Sequence, residues 1–148
     1  MLIRTFFYFF VFILLQGCSS HMPNLGGSNG KLAACPSSPN CVSSQTPVGD
    51  KHYIEPIVLK GSKESAHDKV LAVLVSSKRT KVVVNEEGYI HAEFTSAVFR
   101  FVDDVEFLFS KEQDGQVVVD IRSASRVGHS DFGVNRKRME AIRRKLKQ

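Results

Sequence analysis

The sequence predicts an α+β fold: a four-stranded antiparallel meander packed by two helices and preceded by a disulfide-closed loop. Three observations predict it. Four runs of apolar and polar residues with strand-like alternation follow one another between residues 81 and 123, separated by short turn-forming stretches. One stretch of helical spacing precedes them and another follows, so the order is α-β-β-β-β-α, which segregates helices from strands. Residues 32–148 are enough for one domain with a real core, and 43% hydrophobic with 24% charged residues is ordinary for a globular chain.

Residues 1–17 read as a secretory signal. Arg4 supplies a positive start, and residues 6–15 are an unbroken apolar run of ten. That length suits a signal and is about half of the ~20 residues that span a bilayer. Leu15-Gln16-Gly17-Cys18 then resembles the bacterial lipoprotein signal, in which the Cys is lipidated and becomes the mature N-terminus. Gln16 stands where a small or β-branched residue is commoner, and ordinary secretion or an uncleaved anchor are the alternatives. More than one acyl chain on Cys18 gives stable attachment, where a single chain binds marginally. Ser19 after Cys18, where Asp does not stand, resembles the sorting pattern of Gram-negative bacteria that favours the outer membrane, facing the periplasm, if the source is Gram-negative. Residues 18–31, rich in Ser, Gly and Asn, are a flexible tether. About 13 such residues reach roughly 20 Å, which keeps the domain near the membrane.

The domain opens with Cys35-Pro-Ser-Ser-Pro-Asn-Cys41. In an oxidising compartment this pair reads as a disulfide. Its short loop gives roughly 2.4 kcal/mol from chain entropy. Zinc does not suit the spacing. A thiol enzyme using Cys41 with His129 as base is an alternative without a local signature. Tyr53 to Leu59 is a short extended stretch broken by Pro56. A helix begins at Ser65, with Asp68 completing a capping box, and its apolar face is Val70, Leu71, Leu74 and Val75.

Strands follow. Lys81 to Asn85 and Tyr89 to Thr95 flank a turn at Glu86-Glu87-Gly88, and His91 is expected on a solvated side. Val98 to Ser110 is the longest run, with Phe99, Phe101, Val105, Phe107 and Phe109 of one parity. Asp103 shares that parity, so either a bulge lies at Asp103-Asp104 or Asp103 is buried with a partner. The next strand, 116–123, buries Val117, Val119 and Ile121. Core-to-core registers place either Asp104 or Glu106 opposite Arg122, a favourable cross-strand pair in both cases. The closing helix, 135–148, buries Met139, Ile142 and Leu146, is capped by Asn135 or Asp131, and ends in Lys and Arg as the helix dipole favours.

Charge is uneven. Residues 122–148 carry nine Lys/Arg against two acids, and residues 18–121 carry ten against thirteen, so +7 stands against −3. The imbalance implies an anionic partner, an acidic ligand, or pairing between the two halves. Export excludes nucleic acid as the partner. The basic part centres on residues 122–138, the densest polar stretch of the chain. Read as a site, Arg122, Arg126 and Arg136 hold a carboxylate or phosphate, helped by Ser123, Ser125, His129, Asp131 and Asn135. Read structurally, the same groups satisfy one another and pin the last helix to the sheet, with Asp103, Asp104 and Glu106 in the polar network. Two weaker readings exist. Ser125, His129 and Asp131, or Cys41 with His129, contain the residue types of a small hydrolase acting on an anionic envelope component. Asp103, Asp104, Glu106 and His129 contain metal-ligand types, but nearby Arg opposes a cation. No cofactor is expected.

Three segments carry a resemblance: Cys35-Pro-Ser-Ser-Pro-Asn-Cys-Val-Ser-Ser44, Val102-Asp-Asp-Val-Glu-Phe107, and residues 122–138. Together they resemble the bacterial domain-of-unknown-function family 1499, whose members are often small exported or membrane-attached proteins. The resemblance implies that the three segments belong to one construction, and it implies no activity. The expectation is a lipid-anchored envelope protein, a binding or assembly module for an anionic small molecule, lipid head group or peptidoglycan fragment.

Overall fold

The computed structural model describes residues 25–26 and 29–148. The signal, Cys18 and most of the tether lie outside them. β1 is Cys41–Ser43, β2 Ile57–Lys60, α1 Lys63–Val75, β3 Thr80–Glu86, β4 Tyr89–Thr95, β5 Val102–Gln113, β6 Gln116–Ser125 and α2 Val134–Leu146.

The sheet has six strands, not four. β3, β4, β5 and β6 lie side by side in chain order, each antiparallel to the next. β1 and β2 then share the outer edge of β6, β1 against Arg122 to Ala124 and β2 against Gln116 to Val119. An uncovered β6 would leave a row of unpaired amides and carbonyls, and these two short pieces cap it. At three and four residues they are too short to show a readable period, so the sequence gives only a cysteine loop and a broken extended stretch there.

The core lies between one sheet face and both helices. Val105, Phe107, Phe109, Val119 and Ile121 meet Val70 and Leu74 of α1 and Met139 and Ile142 of α2. α1 begins before the predicted start: Ser62 is the N-cap, its Oγ accepting from the Ser65 amide. Its buried stripe is Ala66, Val70 and Leu74, and Val75 is exposed.

β5 starts later than its pattern predicts. Phe99 and Phe101 are 74% and 51% exposed rather than core. The Ser96 amide donates to the Phe101 carbonyl and the Phe101 amide to Ser96 Oγ, so residues 96–101 close into a loop. Arg100 at φ +58° makes the turn. No bulge sits at Asp103-Asp104; the register shifts between Phe109 and Lys111 instead. Asp103 is therefore buried on the core parity, and its partner is Arg138. Of the two registers compatible with the core, the one pairing Glu106 with Arg122 is adopted.

His91 is buried, not solvated. The face away from the helices is not simply a wet one, because Leu32 packs there against Tyr89 and Leu108.

Candidate functional site

β6 decides where the Arg-rich stretch goes. Successive strand side chains point to opposite faces. Arg122 goes to the face away from the helices, with Arg126 just beyond the strand end on that side. Ser123 and Ser125 go to the helical face. One polar stretch in the sequence becomes two polar networks separated by a sheet.

On the first face, Arg122 Nη1 donates to Glu106 Oε2 at 2.8 Å and the Tyr89 hydroxyl donates to Glu106 Oε1 at 2.7 Å. Glu106 has no exposed surface. Beside it, Arg126 grips Asp104 through Nε and Nη2 at 2.8 and 2.7 Å and also reaches Glu93. His91 Nε2 lies 2.8 Å from Asp104 Oδ1. Two-pronged Arg–carboxylate contacts are among the strong polar interactions in proteins. Burial alone would raise the Asp104 pKa, but the bonds from Arg126 and His91 outweigh it and hold the carboxyl below its ordinary value. Burial and the Glu106 carboxylate push the Tyr89 hydroxyl above its ordinary value. The hydrogen bond to Asp104 leads in raising Arg126. Three carboxylates thus face two guanidiniums and an imidazole. Nε of Arg122 is buried without a hydrogen-bond partner.

On the helical face, Asn135 is the hub and is fully buried. Its Nδ2 donates to the Asn40 carbonyl at 3.0 Å and to Ser125 Oγ at 2.9 Å. Its Oδ1 accepts from Ser123 Oγ and from Arg138 Nη1. Arg138 continues to Asp103 and lies over the Phe94 ring, 5.0 Å from its centroid. Asn40 Nδ2 donates to the Gly128 carbonyl at 2.7 Å. Asn135 does not cap α2. The N-cap is Gly133, at φ +78°, and Asp131 two residues before it supports the helix start, with Oδ2 accepting from the Asn135 amide at 2.7 Å and Oδ1 from the Gly133 amide at 3.0 Å. The first turn of α2, β6 and the cysteine loop are fastened by these bonds.

Cys35 and Cys41 form a disulfide with Cα atoms 5.7 Å apart. Cys41 therefore presents no thiol, and the histidine beside it is His52, whose Nδ1 lies 2.9 Å from the Cys41 carbonyl. Ser125, His129 and Asp131 are not assembled as a triad. Ser125 Oγ accepts from Asn135, both Asp131 oxygens serve backbone amides, and His129 is exposed on the loop. The carboxylates considered as metal ligands are split between the faces and paired with Arg138, Arg126 and Arg122. Among the described residues no cluster of three or more His, Cys, Asp or Glu is placed to hold a metal.

Residues 31–146 match the family described as "Protein of unknown function (DUF1499)". The chain belongs to that family. No curated protein matches it. The three segments singled out in the sequence meet in one DUF1499 construction: Asp103, Asp104 and Glu106 each take an Arg from residues 122–138, and Asn40 of the cysteine loop takes Asn135.

Of the sequence-predicted ligand set, Arg122, Ser123, Ser125, Arg126 and Asn135 are spent internally. Arg136 and Asp131 instead border a small cavity of about 80 Å³ at the foot of α2, together with Cys41, Lys51 and His52. Arg136 Nη2 donates to the Lys51 carbonyl at 3.0 Å, and Lys51 Nζ to the Ser37 carbonyl at 2.9 Å. A larger cleft of about 660 Å³ lies between residues 30–35 and the loop carrying Gln45, Thr46 and Asp50, with His52 in its wall. Sequence reasoning missed Lys51, His52, Tyr89, Glu93 and Arg138. For three network members a signal was present: Tyr89, His91 and Glu93 share one parity on β4, and so do Asp104 and Glu106 on β5. Nothing local marks Lys51 or His52.

Proposed function

We propose that this DUF1499 chain is a lipid-anchored, envelope-facing binding or assembly module that takes an anionic group at the foot of α2. The observation that carries the reading is the division of the basic residues. Arg122, Arg126 and Arg138 are each committed to a carboxylate, whereas Lys51, His52 and Arg136 converge on a cavity beside the disulfide. Asp131 borders the cavity as well, with its carboxylate accepting from backbone amides, so two cations, Lys51 and Arg136, stand against one acid. A cavity of this size suits one carboxylate or phosphate group of a larger ligand, such as a peptidoglycan fragment or a lipid head group. The adjoining cleft has the volume to seat the remainder, within the few hundred to ~1,000 Å³ usual for ligand sites. The sequence reading of Cys18 as a lipid anchor accords with ligands of this class.

The test is calorimetric titration of the membrane-extracted protein with inorganic phosphate and with muropeptides. The reading requires binding that weakens at least about tenfold, ~1.4 kcal/mol, in Arg136→Ala and Lys51→Ala with unfolding unchanged. Equal affinity in both variants would sink it. Intact mass decides the anchor separately, by showing or not showing acyl chains on Cys18.

A further inference from the structure

The described residues expose nine large apolar side chains, and seven of them lie at one end of the sheet. The connectivity places them there. The Arg126 amide donates to the Val102 carbonyl at 3.1 Å, so the β4–β5 loop and the β6–α2 loop leave the sheet side by side. The Thr95 amide donates to the Arg79 carbonyl at 2.9 Å, which brings the α1–β3 turn alongside. The first loop presents Val98, Phe99 and Phe101, with the two rings stacked at 5.5 Å. The second presents Val127 and Phe132, the latter 88% exposed, and leads into Val134. The turn adds Val75.

Two features set this end apart from scattered surface hydrophobics. Each aromatic loop holds a bulky L-residue in the left-handed region, Arg100 at φ +58° and Phe132 at φ +53°. Such residues rarely adopt that backbone, and strain of this kind gathers at functional surfaces. Charge is the second. Lys78 and Arg79 of the α1–β3 turn, Arg100 of the β4–β5 loop and Lys137 in the first turn of α2 are exposed at this end. The acids nearby are already engaged: Glu93 by Arg126, Asp103 by Arg138, and Asp131 by the α2 amides. Exposed phenyl rings ringed by uncompensated cations are the chemistry of an anionic bilayer interface.

We propose that the end formed by residues 96–101, residues 127–134 and the α1–β3 turn docks on an anionic phospholipid surface, inserting Phe99, Phe101 and Phe132 at head-group depth. The inference rests on the anchored reading for its location, and on the loops themselves for its chemistry.

The chain contains no Trp, so Phe99→Trp and Phe132→Trp each give a single reporter, and Val58→Trp on β2 gives a control at the far half of β6. The lipidated full chain is reconstituted in vesicles of phosphatidylglycerol and phosphatidylethanolamine carrying brominated acyl chains. Docking predicts blue-shifted, quenched emission at positions 99 and 132 and none at 58. Unquenched emission at 99 and 132 in anchored protein overturns the proposal. So does a blue shift that appears without vesicles and tracks self-association in sedimentation, which would make the occupant a second copy. A Cys18→Ser chain separates the two readings, because the loops should still bind phosphatidylglycerol vesicles without a lipid anchor. Phe99→Ser with Phe132→Ser should lower that affinity at least about tenfold, ~1.4 kcal/mol. Binding that is unchanged by this pair, or equal on purely zwitterionic vesicles, refutes docking even if Cys18 proves to be acylated.

Discussion

Arg122→Met, Glu106→Leu and the double variant Glu106→Leu/Arg122→Met decide whether Arg122 is a structural clamp. Both partners are buried, Glu106 completely, and the pair is joined at 2.8 Å. Removing Arg122 leaves the Glu106 carboxylate buried with only the Tyr89 hydroxyl to solvate it. An orphaned buried charge costs ~3–5 kcal/mol. Part of this is offset, because the substitution also removes the unpartnered Arg122 Nε, a loss of burden of ~1 kcal/mol. The net expectation is a destabilisation of about 2–4 kcal/mol, a large share of the ~5–15 kcal/mol that holds a domain folded. The double variant leaves no charge behind, and only Tyr89 loses an acceptor, at a cost of ~1 kcal/mol. It should therefore be more stable than the Arg122→Met single variant. Urea unfolding followed by circular dichroism gives the midpoints and slopes. If Arg122 instead awaits an external anion, Arg122→Met changes stability by less than ~0.5 kcal/mol and the two substitutions add. That result refutes the clamp.

Asn135→Ala deletes the hub of the helical-face network and should cost about 3 kcal/mol, read as a fall in melting temperature of roughly 10 °C. Cys35→Ser with Cys41→Ser should cost no more than about 2.4 kcal/mol in urea unfolding, because Pro36 and Pro39 already restrict the loop. Acid should destabilise the protein through Asp104. Its folded pKa is depressed, so its contribution is present above the ordinary aspartate value and is lost as pH falls through the folded value. Melting temperature should therefore decline below about pH 4, and Asp104→Asn should flatten that limb. Tyr89 acts at the other extreme: its folded pKa is raised, so its contribution is present below the ordinary value near 10 and fades as pH rises above it. An unchanged alkaline limb in Tyr89→Phe would contradict the Tyr89–Glu106 bond.

How much was legible depended on whether a signal was local. β4, β5, β6 and both helices announce themselves through a repeated apolar period, and β3 through its run of Val beside a turn at Glu86-Glu87-Gly88. β1 and β2 do not, since three or four residues on the edge of β6 show no period, and their pairing is set by an edge that needs covering. Phe99 and Phe101 obey the core parity of β5 and still face solvent. Parity says which side a residue takes if the strand continues, and cannot say that Ser96 and Phe101 close a loop first. His91 failed for another reason. A polar residue opposite the core reads as wet, and only Asp104 on the neighbouring strand makes it dry.

The Arg-rich stretch shows why composition alone misleads about sites. Its residues look like one ligand cradle, yet strand alternation sends Arg122 and Arg126 to Glu106 and Asp104 while Ser123 and Ser125 go to Asn135. A slip of β6 by one residue would turn every one of these groups to the wrong face. It would bury two guanidiniums against the apolar helical core and leave three carboxylates without cations, at several kcal/mol for each unpaired charge. A slip of two residues keeps the apolar parity, which is why the hydrophobic pattern alone leaves both Asp104 and Glu106 open as partners of Arg122. Under the slip that sets Arg122 opposite Asp104, Glu106 would meet Asp120, a second carboxylate, and Ser123 would move away from Asn135. The charges thus discriminate between registers that the apolar residues treat as equal. The dense polar stretch is therefore chiefly the specification of the fold. Lys51 and Arg136, at the foot of α2, contribute to that specification differently, through backbone carbonyls in place of carboxylates.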